Sequence, residues 1–313
     1  MKRFLCIVMT MVLLSGCMMT PSVSTDPTQS TQPSVIPTTE PTTEPTTEPT
    51  TEPTTEPTTE PTTEPTTEPT TLPTEPPQLQ LRSILDFLRI AAQPVGSTMY
   101  VWGGGWNEED TGAGVDAVTL GVSSRWAEFA AQQDGNYDYK QTRYQIHNGL
   151  DCSGYVGWAV YNVMERENGR PGYVYSSTVM AAKLAERGLG ELLTPEQVDG
   201  WLPGDVVSME GHCWIVVGMC QDGSMLLLHS SPPGVSFCGT SLTDGTKSQA
   251  VLLAEKIMAE YYPQWYAKYP NCSRGAGYLE RTTVMRWYGQ VLTDEENLRG
   301  MSAEAVVSAI FGH

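Results

Sequence analysis

The chain lacks the features that mark several large function classes. It has no Cys-x-x-Cys pair, which argues against zinc ribbons and thioredoxin-like redox sites. It has no run of lysine or arginine and no basic stretch interleaved with aromatics, so nucleic acid is not expected as a partner. No Gly-Lys-Ser/Thr follows its glycine-rich stretch at 103–105, so there is no phosphate-binding loop of that kind. Its long apolar run, Phe4 to Leu14, falls short of the about 20 residues that a membrane-spanning helix needs. Positive charge is scarce, with 18 Lys and Arg against 36 Asp and Glu, a net charge of −18. More than half of that deficit comes from nine glutamates and Asp26 between residues 17 and 77, so the rest of the chain is only mildly acidic.

At the N-terminus, Met1-Lys2-Arg3, the apolar run and the small residues Ser15 and Gly16 have the layout of a secretory signal. Its end, Leu14-Ser15-Gly16-Cys17, resembles the lipobox of bacterial lipoproteins. That resemblance implies cleavage after residue 16 and lipidation of Cys17, which anchors a chain to a membrane face without a span. Plain secretion is the alternative. Residues 17–77 follow, with eight consecutive Thr-Thr-Glu-Pro units from Thr38 to Pro69. Nothing in this repeat can bury an apolar face, so no folded domain is expected there. Proline at every fourth position and regularly spaced glutamates extend such a chain. The segment is expected to be a disordered stalk that holds a domain away from the membrane.

Residues 78–313 are numerous enough for one well-buried domain. Five cysteines remain there, Cys152, Cys213, Cys220, Cys238 and Cys272, so at least one thiol is unpaired. Cys152 stands in Asp151-Cys152-Ser153-Gly154, ahead of an apolar run that reads as a buried helix. A helix N-terminus carries about +0.5 of an elementary charge and lowers a thiol pKa from about 8.5. The same stretch also fits a small buried cysteine that packs a helix.

The spacing predicts further helices over 79–92, 124–132, 177–187, 250–262, 281–291 and 302–311, and a short one from Thr194. Tyr100 to Trp106 reads as a loop where backbone approaches something closely. Strands are expected over 206–209, 212–220, 225–230 and 235–239, with a hairpin turn at Gln221-Asp222-Gly223-Ser224. Helices first and an antiparallel meander after them argue for an α+β domain.

A thiolate nucleophile needs a base, and the base needs an orienting partner. His212 begins one expected strand, and His229 lies near the end of its hairpin partner. The turn at Asp222-Gly223 brings those ends together, where His229 can bond the far nitrogen of His212 and fix its tautomer. His147, five residues before Cys152, reads as a loop residue rather than a base. A metal site from His212, Cys213, Cys220, Cys238 and His229 competes with this reading. It is weakened because adjacent strand residues such as His212 and Cys213 point to opposite faces. No metal and no cofactor is expected.

Five segments in order now carry a resemblance. They are Tyr100-Val101-Trp102-Gly103-Gly104, Asp151-Cys152-Ser153-Gly154, Pro203-Gly204-Asp205, His212 with Ile215-Val216-Val217-Gly218, and Leu228-His229-Ser230-Ser231. Together they resemble the motifs of the NlpC-type family of cell-wall cysteine peptidases, which are papain-like, over roughly residues 79–239. The resemblance implies an α+β papain-like core, with N-terminal helices and the Cys helix packed on a small antiparallel sheet. It implies hydrolysis of amide bonds in peptidoglycan stem peptides, typically between D-γ-glutamate and a diamino acid. Cys152 would be the nucleophile, His212 the general base and acid, and His229 the orienter. Tyr100 and Trp102 would line the cleft, with Tyr100 and the first amides of the helix binding the oxyanion. Asp151 and Ser153 would contact the stem, Asp151 near a free amino end.

Three features depart from the family pattern. Residues 106–150 form an insertion, expected as a lid or specificity loop. Trp214 shares a strand face with His212 and is expected to narrow the cleft. The hairpin between the two histidines is longer than usual. Residues 241–313 are expected as a helical extension. The expected partners are stem peptides and, through Cys17, a bacterial membrane, with the domain a monomer outside the cytoplasm facing the wall. Two other functions compete: a wall-binding lipoprotein on the same fold with a blocked cleft, and a thiol amidase or acyltransferase with another substrate.

Overall fold

The computed structural model describes residues 82–312. The signal, the Cys17 anchor and the stalk expected from the sequence lie outside the described residues.

Helix α1 (Ile84–Ala92) opens on a reciprocal cap: Asp86 N–H donates to Ser83 Oγ, and Ser83 N–H donates to Asp86 Oδ2. This sets the start at Ser83, among the described residues, and the apolar stripe of Ile84, Phe87 and Leu88 is fully buried. Helices α2 (Ser124–Ala131), α3 (Cys152–Met164) and α4 (Met180–Glu186) follow. Eleven of the thirteen residues of α3 are buried, which makes it the central helix rather than an amphipathic surface one. Part of its cover comes from residues 106–150. Trp126 of α2 meets Trp158 of α3 edge to face, 5.9 Å between ring centres.

Strands β1 (Gly190–Leu193), β2 (Val206–Met209), β3 (His212–Met219), β4 (Met225–Ser231) and β5 (Gly234–Thr240) come next. Helices α5 (Gln249–Tyr261) and α6 (Pro263–Lys268), strands β6 (Ser273–Arg274) and β7 (Thr283–Trp287), and helix α7 (Ala303–Phe311) complete the chain. The described residues thus hold seven α-helices and one seven-stranded sheet, in the order β1-β7-β2-β3-β4-β5-β6. Every pairing is antiparallel except β5 with β6. The fold is α+β.

Strand alternation gives the sheet two buried faces. Cys213, Ile215 and Val217 join Leu226, Leu228, Phe237 and Met285 in the core shared with α1, α3, α5 and α7. Trp214 and Val216 join Val207, Met225, Leu227, Cys238 and Val284 in a second core on the other side. Trp201, Tyr278 and Leu279 pack against that second core.

Four expectations are corrected. The sheet is larger than a small antiparallel one and is mixed. Residues 281–291, expected as a helix, contain β7, which lies between β1 and β2. Thr282-Thr283-Val284-Met285-Arg286-Trp287 is rich in β-branched and aromatic residues, and pairing with two neighbours outweighs a helical spacing of apolar positions. The 241–313 segment is therefore not purely helical, since β6 and β7 belong to the sheet. Residues 194–197 form a turn closed by Gln197 Oε1, which accepts from Thr194 N–H, rather than a helix start.

The Pro203-Gly204-Asp205 turn is tied to β7. Asp205 is fully buried, and its carboxylate accepts from Arg286 Nη2 at 2.8 Å and Nε at 3.1 Å. The Leu202 N–H donates to the same carboxylate at 2.9 Å.

Candidate active site

Asp151 is the N-cap of α3. Its Oδ1 accepts from Gly154 N–H and Ser153 Oγ, each at 2.8 Å, and its Oδ2 accepts from Gly103 N–H at 3.2 Å. Ser153 Oγ in turn accepts from Trp106 Nε1 at 3.0 Å. These bonds stitch the glycine-rich loop to the first turn of the Cys helix. Gly154 is required there, because a Cβ would collide with the carbonyl oxygen of Gly104. Burial, and then the charge of Cys152, push the Asp151 carboxyl up to about 7, against the pull of its three hydrogen bonds. Asp151 and Ser153 do stand in the cleft wall, but their polar atoms are committed to the cap and the loop.

Cys152 is 7% exposed and lies in the wall of a cavity of about 400 Å³, with Tyr100, Trp102, Trp106 and Thr178. Its thiol is held well below the ordinary range. Hydrogen bonding from the Cys213 thiol contributes most, burial opposes it, and hydrogen bonding from His212 adds to the lowering. Cys213 is itself pushed well above its ordinary value by burial, so it remains an S–H donor. Burial also raises Cys238, Cys220 to about 11 and Cys272 to about 12. Among the described residues Cys152 is the one thiol shifted toward the thiolate.

His212 begins β3, and its Nε2 lies 2.9 Å from Nδ1 of His229 on β4. The imidazole nitrogen left to His212 for Cys152 is Nδ1. His229 is fully buried, and its Nε2 accepts from Arg274 Nε at 3.1 Å. Burial, then the charge of Arg274, hold it well below the ordinary histidine range, so it is neutral. Tyr278, in a 3-10 turn at Ala276–Leu279, closes over the pair, its ring centre 5.5 Å from His212 and 6.1 Å from His229.

Trp214 was expected in the cleft and is not there. It is fully buried, stacks on the His212 ring at 5.8 Å and packs on Tyr278 at 4.7 Å. It does share a strand face with His212, but that face is the second core. Tyr100 and Trp102 do line the cavity. Burial, then the Cys152 and Asp151 charges, raise the Tyr100 phenol far above its ordinary value, so it stays a donor. Trp102 is 43% exposed at the rim, with the Arg143 guanidinium 5.1 Å from its ring centre. The N–H groups of Cys152 and Ser153, first in the helix, have no intrahelical acceptor.

The larger cavity, of about 610 Å³, adjoins the first through Gly103, Trp106 and Asp110. His147 lies in it, with Nδ1 2.6 Å from Asp116 Oδ2, and does not line the Cys152 cavity. Trp106 and Asp110 place the 106–150 segment in the walls of both cavities. Among the described residues no three His, Cys, Asp or Glu side chains converge as for a metal ion. Nor is any helix there long and apolar enough to cross a membrane.

Sequence reasoning missed Cys213 as a thiol partner, and missed Arg274 and Tyr278 altogether. Adjacency to His212 was a usable signal for Cys213. The other two lie more than 40 residues past His229 and carry no motif. Comparison with family models, with curated proteins and with solved structures gives no match for this chain.

Proposed function

We propose that this chain is a cysteine hydrolase of amide bonds on a papain-like core. Its substrates are peptidoglycan stem peptides, cut at the D-γ-glutamyl–diamino acid bond. One observation carries the reading. The Cys152 thiol is lowered at a helix N-terminus beside His212, in the wall of an open cavity, with His229 behind the imidazole. A nucleophile, a base and an orienter in line are the parts that thiol-based amide hydrolysis needs.

In the proposed cycle His212 takes up a proton, from the Cys152 thiol or, where that thiol is already ionised, from solvent. The Cys152 sulfur then adds to the scissile carbonyl carbon, and the π pair moves to oxygen. The N–H groups of Cys152 and Ser153 and the Tyr100 hydroxyl hold that oxyanion. Cationic His212 gives its proton to the leaving nitrogen as the C–N bond breaks. A water then gives a proton to His212 and adds to the thioester carbonyl, and as the C–S bond breaks the sulfur takes that proton back from His212.

Two adjoining cavities of about 400 and 610 Å³ suit an extended peptide. The substrate class rests on the five ordered segments, and the location outside the cytoplasm rests on the signal and lipobox pattern, with lipid on Cys17. A blocked, purely wall-binding site is disfavoured, because Trp214 lies behind His212 and the 106–150 segment walls an open cavity.

The test is digestion of muropeptides by the full-length chain in detergent, beside Cys152→Ala, with products identified by mass spectrometry. Wild type is expected to cut after D-γ-glutamate, and Cys152→Ala is expected to cut nothing. No cleavage by either protein removes the hydrolase reading. Cleavage of a different amide shifts the substrate to that of a thiol amidase, and cleavage that survives Cys152→Ala removes the mechanism.

A further inference from the structure

Hydrogen-bond polarity runs in one direction through the histidine pair. Arginine has only donors, so Arg274 Nε–H at 3.1 Å leaves His229 Nε2 no role but acceptor. A neutral imidazole carries one N–H, which in His229 must then sit on Nδ1. That N–H points at His212 Nε2, 2.9 Å away, which becomes an acceptor in its turn. Neutral His212 consequently carries its hydrogen on Nδ1, toward Cys152. Every donor points from the guanidinium to the sulfur.

This arrangement conflicts with the state that amide cleavage needs. For His212 to take the thiol proton, both its nitrogens must carry hydrogen. His212 Nε2–H would then face His229 Nδ1–H, donor against donor. His229 can offer a bare Nδ1 only by placing its hydrogen on Nε2, where Arg274 already donates. No carboxylate among the described residues bonds either ring to relieve the conflict. The titratable groups around the pair are Cys152 of α3 with Asp151 before it, Cys213 of β3, Cys238 of β5, Arg274 of β6 and Tyr278.

We propose that Arg274 is a latch: bonded to His229 it fixes both imidazoles as neutral Nδ1–H tautomers, and His212 takes up a proton only when Arg274 lets go. The latch sits on the two-residue strand β6, at one end of the sheet, joined to the sheet through β5. A short strand paired on one side is held by few bonds and opens at low free-energy cost. Release needs only a side-chain rotation there, because Arg274 is anchored otherwise by Nη1 to the adjacent Ser273 carbonyl. The proposal deepens the reading of Cys152 and His212 as nucleophile and base, but its test does not depend on any substrate.

The test uses the full-length chain labelled with ¹⁵N-histidine, which has four histidines to assign by single His→Gln variants. At pH 7 the wild-type spectrum is expected to show His212 and His229 both neutral, protonated on Nδ1 and bare on Nε2. In Arg274→Met the His229 hydrogen is expected to move to Nε2, and the bond between the rings to reverse, with His212 donating through Nε2. A wild-type spectrum with His229 protonated on Nε2, or with cationic His212 at pH 7, overturns the latch. So do ring signals that are the same in wild type and variant. If the variant fails to fold, the wild-type spectrum decides alone. Muropeptide cleavage can fail while these tautomers are found, so the two ideas fail separately.

Discussion

A free cysteine is only about 3% thiolate at pH 7, because its pKa is about 8.5. Cys152 escapes that limit through three neighbours that each donate or carry positive charge: the Cys213 thiol, His212 and the start of α3. Each was legible to a different degree. Cys152 stands in a short local pattern at the start of α3, and chain order brings His212 and His229 together on one hairpin. Trp214 was assigned the correct strand face but the wrong surroundings, because side-chain parity says nothing about what covers a face. Its burial makes a sharp prediction. Trp214→Ala is expected to cost about 3–5 kcal/mol of stability, as for large buried aromatics, read as a lower urea midpoint. A tryptophan that merely narrowed the cleft would leave the midpoint nearly unchanged.

At the scale of elements, the site depends on how α3 begins and on how β7 is clamped. Asp151→Ala removes the cap and frees the Gly103 loop, and is expected to cost about 0.5–2 kcal/mol from the cap alone. A thermal melt checks it, and an unchanged Tm would contradict the capping role. Arg286→Met leaves the buried Asp205 carboxylate without its cation and is expected to cost about 3–5 kcal/mol in urea unfolding. Lys183→Ala, which removes an exposed pair with Glu186, is expected to leave the midpoint where it is. Most helices were readable from apolar spacing, as α5 and α7 illustrate. The strand β7 was not, since its apolar residues fit either period and its neighbours lie about 75 and 95 residues upstream.

For the whole molecule, the α+β class followed from helices preceding a meander, but a seven-stranded sheet did not. Its strands β1, β6 and β7 pair across distances that no local pattern records. Buried and half-buried thiols distributed through this fold give it a pH limit. Cys213, Cys220, Cys238 and Cys272 are raised, so the folded state keeps protons that the unfolded chain releases near pH 8.5. Their contribution is complete below pH 8.5 and is lost as pH rises toward 11 and 12, the values of Cys220 and Cys272. Cys152 acts in the opposite sense: its thiolate contribution is present above 8.5 and is lost as pH falls through its lowered value. Four groups outweigh one, so the urea midpoint in reductant is expected to fall between pH 8 and 10.5. A midpoint that holds steady or rises would contradict this balance.

The proposed chemistry depends above all on Cys152 being a reactive thiolate. The most direct measurement is competitive labelling of the full-length folded chain with iodoacetamide at pH 6.5, followed by peptide mapping of the five cysteines from Cys152 to Cys272. Cys152 is expected to take the label at least about tenfold faster than any other, since free thiols are only about 1% ionised at that pH. Its rate is expected to hold as pH drops from 8 to 6.5. Faster labelling of another cysteine, or a Cys152 rate that falls with pH as a free thiol's does, would contradict the account.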